Sequence, residues 1–384
     1  MTQKWTAVWG NAPSIANTKV VGYAKNVTLR YNILSLFSGS GLRIQFTNFC
    51  GNEPITISKA FVAKTVDEDK IDINSIKQLS FSGKEYLTLD KGKRAYCDKI
   101  CMPINRSESI TISFYLADYT EMRTCVHIEG PLTKAWFSLG DYSSAQSLKR
   151  EDTRKIQNYY FLNTVDVLTD ENCGTTILYG DSWTAGDWPD YVTLGLLNRG
   201  IKNRAVIRRA TSGSRILGQY DCADYAHYGI KAEARFDSEM TTSGADSVVI
   251  LHGINDIIHP DGINPYRPMS NMPTAQDIIN GYRYYISIAK KHNLKVYFAT
   301  LLPIYNWRTY APFREQVRYE VNNWITGNNE ADGFIDFNKT LADEHNPLAT
   351  KKEFDCGDHL HPNAAGYKAM AELFLDSMAF ENGI

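Results

Sequence analysis

Charge of one sign is what this sequence most clearly lacks: 41 Lys and Arg stand against 43 Asp and Glu, a formal net charge of −2 with histidine neutral. Such a balance excludes a nucleic-acid binder that works by neutralising phosphates, and a polybasic membrane-surface protein. Long apolar runs are also missing; none approaches the ~18 residues that a membrane-spanning helix requires. The opening Met1-Thr2-Gln3-Lys4-Trp5 has no apolar h-region, so the expected location is cytoplasmic. Compositional bias is absent too, and 43% hydrophobic with 22% charged residues excludes disorder, collagen and coiled coil. Cysteine is sparse and odd in number, with seven (Cys50, Cys97, Cys101, Cys125, Cys173, Cys222, Cys356) scattered along the chain. That pattern fits reduced, mostly buried thiols better than a disulfide framework. Cys97 and Cys101 are spaced to share a helical face, but without two further ligands they make a poor zinc site, so no metal is expected. At roughly 100–200 residues per domain, the length calls for two domains.

Two periodicities divide the chain. Across residues 1–165 apolar positions recur every second residue, as in Leu42, Ile44, Phe46 and in Ile110, Ile112, Phe114, Leu116. Period two means half-buried antiparallel strands. Ser38-Gly39-Ser40-Gly41 and Gly51-Asn52-Glu53-Pro54 supply turns between them, which reads as a β-sandwich or jelly roll without long helices. The polar stretch 140–172 is expected to be a connector. From residue 173 to 384, short apolar runs alternate with helical segments: Thr176–Tyr179, Ala205–Ile207, Ser247–Leu251, Lys295–Ala299 and Gly333–Asp336 read as strands buried on both faces. Thr274 with Asp277 forms a capping signal, followed by Ile278, Tyr282, Tyr285, Ile286 and Ala289 on one helical face. Strand, helix, strand repeated means an α/β domain with a parallel sheet flanked by helices, whose sites form at the carboxyl ends of the strands.

The residues at those strand exits carry chemistry. Gly180-Asp181-Ser182-Trp183-Thr184 puts Ser182 where a helix should begin, as a nucleophile or an N-cap. Thr211-Ser212-Gly213-Ser214-Arg215 is a glycine-containing turn whose backbone N–H groups can face an anion. His252-Gly253-Ile254-Asn255-Asp256 offers the Asn255 amide as an oxyanion donor or a turn residue. Asp358-His359-Leu360-His361-Pro362 precedes the closing helix 364–378. Asp358, three residues before His361, can fold back to hold its Nδ1–H and orient the ring as a base; the alternatives are a solvated loop or a pair awaiting a metal. His361 is preferred over His359 because a turn separates it from Asp358 and because it directly precedes Pro362.

With these four blocks in this order, the sequence resembles the SGNH (GDSL-type) hydrolase superfamily: Ser182 in Gly180-Asp181-Ser182, Gly213 in Ser212-Gly213-Ser214, Asn255 in Gly253-Ile254-Asn255-Asp256, and His361 before Pro362. The likeness extends through Leu301-Leu302-Pro303 and Ala364-Ala365-Gly366-Tyr367. The second block departs from the common pattern, with Arg208-Arg209-Ala210-Thr211 where Asn often stands. The amino-terminal half also looks like the β-sandwich that precedes the catalytic domain in a subgroup of these enzymes, through Thr6-Ala7-Val8-Trp9-Gly10 and Leu42-Arg43-Ile44-Gln45-Phe46-Thr47-Asn48. The resemblance implies a flavodoxin-type sheet in a catalytic domain spanning 173–384, preceded by an antiparallel, jelly-roll-like sandwich spanning 1–165.

It further implies a serine esterase. Ser182 is the nucleophile, His361 the base and Asp358 its orienting carboxylate, with an oxyanion hole from the N–H groups of Ser182 and Gly213 and the Asn255 amide. Asp181 and Asp256 read as structural carboxylates. No cofactor is required. Sandwich-bearing relatives include esterases that deacetylate xylan or its oligosaccharides, so the first expectation is acetyl removal from carbohydrate, with Trp183, Trp188 and Trp307 as candidate substrate contacts. The alternative is a short-chain esterase or lipase-like hydrolase of other esters; a non-catalytic carbohydrate-binding protein and an acyltransferase are further alternatives. The expected partner is an acylated carbohydrate or small ester, not nucleic acid or membrane, and a homo-oligomer is compatible with the sequence.

Overall fold

The computed structural model describes residues 2–16, 22–327 and 329–378. Positions 1 and 379–384, at the ends of the two expected ranges, lie outside the described residues. The chain divides into two units, Met1–Gly174 with Lys202–Ile207, and Thr175–Ile201 with Arg208–Ile384.

The first unit is built from antiparallel strands. Gln3–Gly10, Leu162–Asp170, Leu42–Thr47 and Arg94–Tyr96 lie side by side in that order. A second sheet runs Thr153–Ile156, Ala135–Leu139, Val27–Leu34, Ser109–Leu116, Lys59–Asp67, with short strands added at its edge. The alternation along Leu42–Thr47 is realised, with Leu42, Ile44 and Phe46 buried and Arg43 and Gln45 half-buried. The Phe46 ring meets that of Phe114 edge-on at 5.3 Å, bringing apolar faces of the two sheets together. Helical structure among the described residues of this unit is limited to short 3₁₀ turns at Ile73–Ser75 and Arg150–Asp152.

Three expectations are corrected here. The expected connector contains Leu162–Asp170, an inner strand hydrogen-bonded to neighbours on both sides. Its apolar signal is diluted by polar residues that the fold satisfies internally. Asp166, fully buried, receives the Arg43 guanidinium at 2.8 Å, and Thr169 shares a hydrogen with Thr6 at 2.7 Å. Cys97 and Cys101 lie on no helix. Cys97 is buried, accepts the Ile44 N–H at 3.1 Å and has its thiol pushed up to about 12 by burial, whereas Cys101 is exposed. All seven cysteines are free thiols, but only Cys50, Cys97 and Cys125 are buried.

Five strands form one further sheet in the order Arg204–Ala210, Gly174–Gly180, Ala245–Leu251, Lys295–Ala299, Gly333–Ile335, and the last four run parallel. By chain order this is 2-1-3-4-5, the flavodoxin-like winding, in which the first strand is flanked by the second and third. Gly180 pairs with Leu251, so two strands end level at one sheet edge. The flanking helix Ala275–Lys291 starts with the expected capping box, the Thr274 hydroxyl accepting from Asp277 N and the Asp277 carboxylate from Thr274 N, and it ends on Lys290 and Lys291. Its buried face carries Ile278, Tyr282, Tyr285, Ile286 and Ala289. The closing helix Ala364–Ser377 packs against Trp188–Asn198, where Phe374 lies 5.6 Å from Trp188. No helix among the described residues is long and apolar enough to cross a membrane.

Candidate active site

Three chain segments leave the sheet at the point where its winding reverses, and each brings one of the expected residues. The first turns sharply. A β-carbon on Gly180 would fall 2.3 Å from Leu251 O, so only glycine lets the two strand ends approach this closely. Asp181 then caps the four-residue helix Ser182–Ala185 by accepting Trp183 N at 3.1 Å, which leaves Ser182 half-exposed at the helix start. The cap is therefore Asp181 and not Ser182.

The segment before the closing helix supplies the imidazole. Asp358 Oδ1 accepts Leu360 N at 2.9 Å and His361 N at 2.8 Å, and its Oδ2 lies 2.6 Å from His361 Nδ1. Burial would raise this carboxyl, but the hydrogen bonds from the His361 ring and from the two backbone N–H groups outweigh it and hold it below the usual carboxylate range. A carboxylate only accepts, so Nδ1 carries the hydrogen and Nε2 keeps its lone pair. That Nε2 lies 2.8 Å from Ser182 Oγ, across 179 positions of sequence. His359 is turned elsewhere, its Nδ1 2.8 Å from Asp355 Oδ2. Asn363 fixes the segment from behind, capping the last helix through Ala365 N and Gly366 N and donating to Glu353 O and Asp355 O.

Gly213 sits in the left-handed region at φ +78°, and a β-carbon there would strike the Tyr228 ring at 2.1 Å. Its neighbour Ser214 is immobilised from several sides. Asn255 Nδ2 donates to Ser214 O at 3.1 Å, and His252 Nε2 lies 3.1 Å from the same carbonyl and 3.0 Å from Ser214 Oγ. Burial, reinforced by the Arg235 cation, pushes the His252 imidazole down to about 3 and keeps it neutral. Nε2 then donates to the carbonyl while Nδ1 accepts from the Tyr285 hydroxyl at 3.0 Å. The Asn255 amide and the Gly213 turn thus come to the same strand exits as Ser182, on a buried network that holds their backbone.

The two further carboxylates bond loop N–H groups. Asp256 accepts Ile216 N at 2.8 Å and Leu217 N at 3.0 Å, although burial lifts its carboxyl to about 6. Burial lifts Asp181 to about 7, against the Trp183 N–H and the His361 ring. Asp355, Cys356 and Asp358 place possible metal-ligand atoms within 4.8 Å of one another, but both carboxylates are engaged by His359 and His361.

Of the tryptophans expected to touch substrate, Trp183 and Trp188 cannot do so: both are 0% exposed. Trp188 packs among Phe337 and Phe374 as core. The Trp183 indole N–H donates to Leu360 O at 2.8 Å, so it ties the Ser182 helix to the residue preceding His361. Trp307 is half-exposed, with its ring 6.4 Å from that of His361 and perpendicular to it. Sequence reasoning also missed the bracing roles of His252 and Arg208. Arg208 forms a buried ion pair with Asp190 at 2.9 Å and donates to Gly186 O at 2.9 Å, beside the Ser182 helix. Their signal was position alone, near the end of the edge strand for Arg208 and just past an inner strand for His252.

Residues 178–369, half of the 384-residue chain, match the model of the GDSL-like Lipase/Acylhydrolase family. No curated protein matches the chain. Among solved structures the chain is similar to a GDSL-like lipase from Bacteroides thetaiotaomicron, at 19% identity over 54% of this chain and 88% of that one, with a TM-score of 0.40. It is also similar to the psychrotrophic esterase EstA from Pseudoalteromonas sp., at 16% identity over 53% of this chain and 96% of that one, with a TM-score of 0.39. Likenesses that low carry no weight beside the residue match, whose span includes Ser182, Gly213, Asn255, Asp358 and His361. The chain belongs to the GDSL-like lipase/acylhydrolase family.

Proposed function

We propose that the protein is a serine esterase that removes short acyl groups, foremost acetyl, from carbohydrate such as xylan or xylo-oligosaccharides. The observation that carries the reading is the unbroken chain from Ser182 Oγ through His361, 2.8 Å on one side and 2.6 Å on the other, to Asp358. A free serine hydroxyl is a poor nucleophile. As Ser182 Oγ attacks the ester carbonyl carbon, its hydrogen passes to His361 Nε2, and Asp358 stabilises the resulting imidazolium. The tetrahedral oxyanion is met by the N–H groups of Ser182 and Gly213 and by the Asn255 amide. His361 then protonates the departing sugar oxygen, which leaves acetyl on Ser182. Water, deprotonated by the same ring, completes hydrolysis and returns the hydrogen to Ser182. No metal or organic cofactor takes part.

The half-exposed Trp307 ring beside His361 supports a sugar in the alcohol position, since a pyranose can lie against an aromatic face. The antiparallel first half is read as a jelly-roll-like sandwich serving as an accessory domain over 1–165, with the catalytic domain over 173–384. The Phe46–Phe114 contact between its sheets supports that architecture.

The test is p-nitrophenyl acetate turnover in the parent and in Ser182→Ala, followed by acetylated xylo-oligosaccharides against p-nitrophenyl esters of increasing chain length. Ser182→Ala should lose at least about 10⁴-fold in kcat. Turnover that survives this substitution refutes the serine mechanism, and a preference for chains of eight or more carbons refutes the sugar assignment.

A further inference from the structure

Tyr228, the ring that closes on Gly213, belongs to an aromatic cluster with an excess of positive charge. Its centroid lies 5.7 Å from Tyr220, 5.7 Å from Tyr225 and 5.1 Å from the His259 imidazole stacked on it. Arg215 stands 4.4 Å over Tyr220 and Arg267 stands 4.3 Å over Tyr225. Arg308 stands 4.5 Å over Trp307, the ring next to His361. Cations therefore flank the site both on the Gly213 side and on the His361 side. They converge electrostatically on His259, which is 5% exposed: burial first, then Arg267, Arg215 and Arg308, drive its imidazole well below the ordinary value. It is neutral, and its Nδ1 has no hydrogen-bond partner among the described residues.

Arg267 is 7% exposed, yet its Nε has no hydrogen-bond partner among the described residues, and its ion pair with Asp261 Oδ2 is long, at 4.0 Å. Asp261 Oδ1 accepts Ile263 N and Asn264 N, which holds the carboxylate on its own loop and leaves Oδ2 facing Arg267 at that distance. Asp256, which interacts electrostatically with Arg215, spends both oxygens on Ile216 N and Leu217 N. A guanidinium that deeply buried is ordinarily matched by acceptors, because an unpaired buried cation is costly. Here the Arg267 Nε donor stays unmatched on the Gly213 side of the site, with the guanidinium lying against the Tyr225 and Tyr228 rings.

We infer that the substrate's sugar carries a carboxylate, so that the protein deacylates acidic, uronate-type sugars with Arg267 as the carboxylate ligand. This rests on the esterase reading above: with an acyl group as small as acetyl, the charged group must lie on the alcohol part. A guanidinium fork matches a planar carboxylate with two parallel hydrogen bonds, and Arg215 and Arg308 raise the local positive potential.

Acetate release is compared for two substrates that differ in one group, acetylated methyl glucuronide and the acetylated glucuronamide of the same sugar, in the parent, Arg267→Gln and Arg267→Lys. The acid should be preferred by about tenfold or more in kcat/KM, mainly through KM, and the preference should shrink as salt rises. Arg267→Gln should abolish the preference and Arg267→Lys should retain part of it. Equal use of acid and amide by the parent overturns the inference, as does turnover of neither. So does an Arg267→Gln variant that slows on both alike, which is how a purely structural arginine behaves. Turnover of p-nitrophenyl acetate that depends on Ser182 reports on the esterase reading separately, so the two can fail independently.

Discussion

Trp183 and Trp188 are both fully buried, five positions apart, and only one of them holds the base segment. Their replacement by phenylalanine therefore separates packing from positioning. Each change shrinks an indole to a phenyl ring in a tight core, costing on the order of 1–2 kcal/mol in lost contacts. Trp183→Phe also removes the donor to Leu360 O, a carbonyl on a residue only 4% exposed. A buried acceptor left unpaired costs about 1–3 kcal/mol more. Trp188→Phe carries no such addition, because its Nε1 has no hydrogen-bond partner among the described residues. At about 2–4 °C per kcal/mol for a unit of this size, Trp183→Phe should melt roughly 2–12 °C below Trp188→Phe. Its effect on turnover should be sharper. Leu360 directly precedes His361, and misplacing a catalytic group by a fraction of an ångström to an ångström costs on the order of 10- to 100-fold in rate. The loss should fall on kcat with p-nitrophenyl acetate, leaving KM near the parent value, whereas Trp188→Phe should keep kcat within about twofold. Thermal melts and steady-state kinetics on the two variants decide the matter. Equal melting temperatures and equal kcat values would refute the claim that the indole of Trp183 positions the base.

Asn255→Ala should lower kcat by about 10²- to 10³-fold with little change in KM, since an oxyanion donor acts mainly in the transition state; steady-state kinetics showing near-normal kcat would remove Asn255 from that role. The buried Asp181 and Asp256, raised from 3.8 to about 7 and about 6, bind protons more tightly folded than unfolded. Their stabilising contribution is full below pH 3.8 and is lost as pH rises through 6 to 7, so Asp181→Asn, which keeps a capping oxygen, should raise the melting temperature at pH 8 and change it little at pH 4.5. Asp358 has the opposite sign, its contribution being present above 3.8 and lost on acidification, so it adds no slope between pH 4.5 and 8.

What could be read from the chain in advance, and what could not, follows from how far apart the partners lie. Strands buried on both faces announce themselves as uninterrupted apolar runs, and Ser247–Leu251 and Lys295–Ala299 needed no distant partner to be recognised. The helix 275–291 was legible for the same reason: Thr274 and Asp277 bond within one turn, and its apolar face repeats locally. The residues brought together at the strand exits were visible as short motifs, since Asp358 reaches His361 within three positions. The misreadings arise where a residue's partner lies far along the chain. Leu162–Asp170 looked like a polar connector because the Arg43 that satisfies Asp166 is 123 positions away. Trp183 looked like a substrate contact because Leu360 O, its acceptor, is 177 positions away. His252 drew no role because Ser214 and Tyr285 meet it only once the sheet has formed. Arg267 belongs to the same class. Nothing local distinguishes it from any other loop arginine, and only the fold places it 4.3 Å over Tyr225 with Asp261 held 4.0 Å away. Motifs whose partners are local thus mark the strand exits in advance, while the groups that brace them become visible only through the long-range pairings of the folded chain.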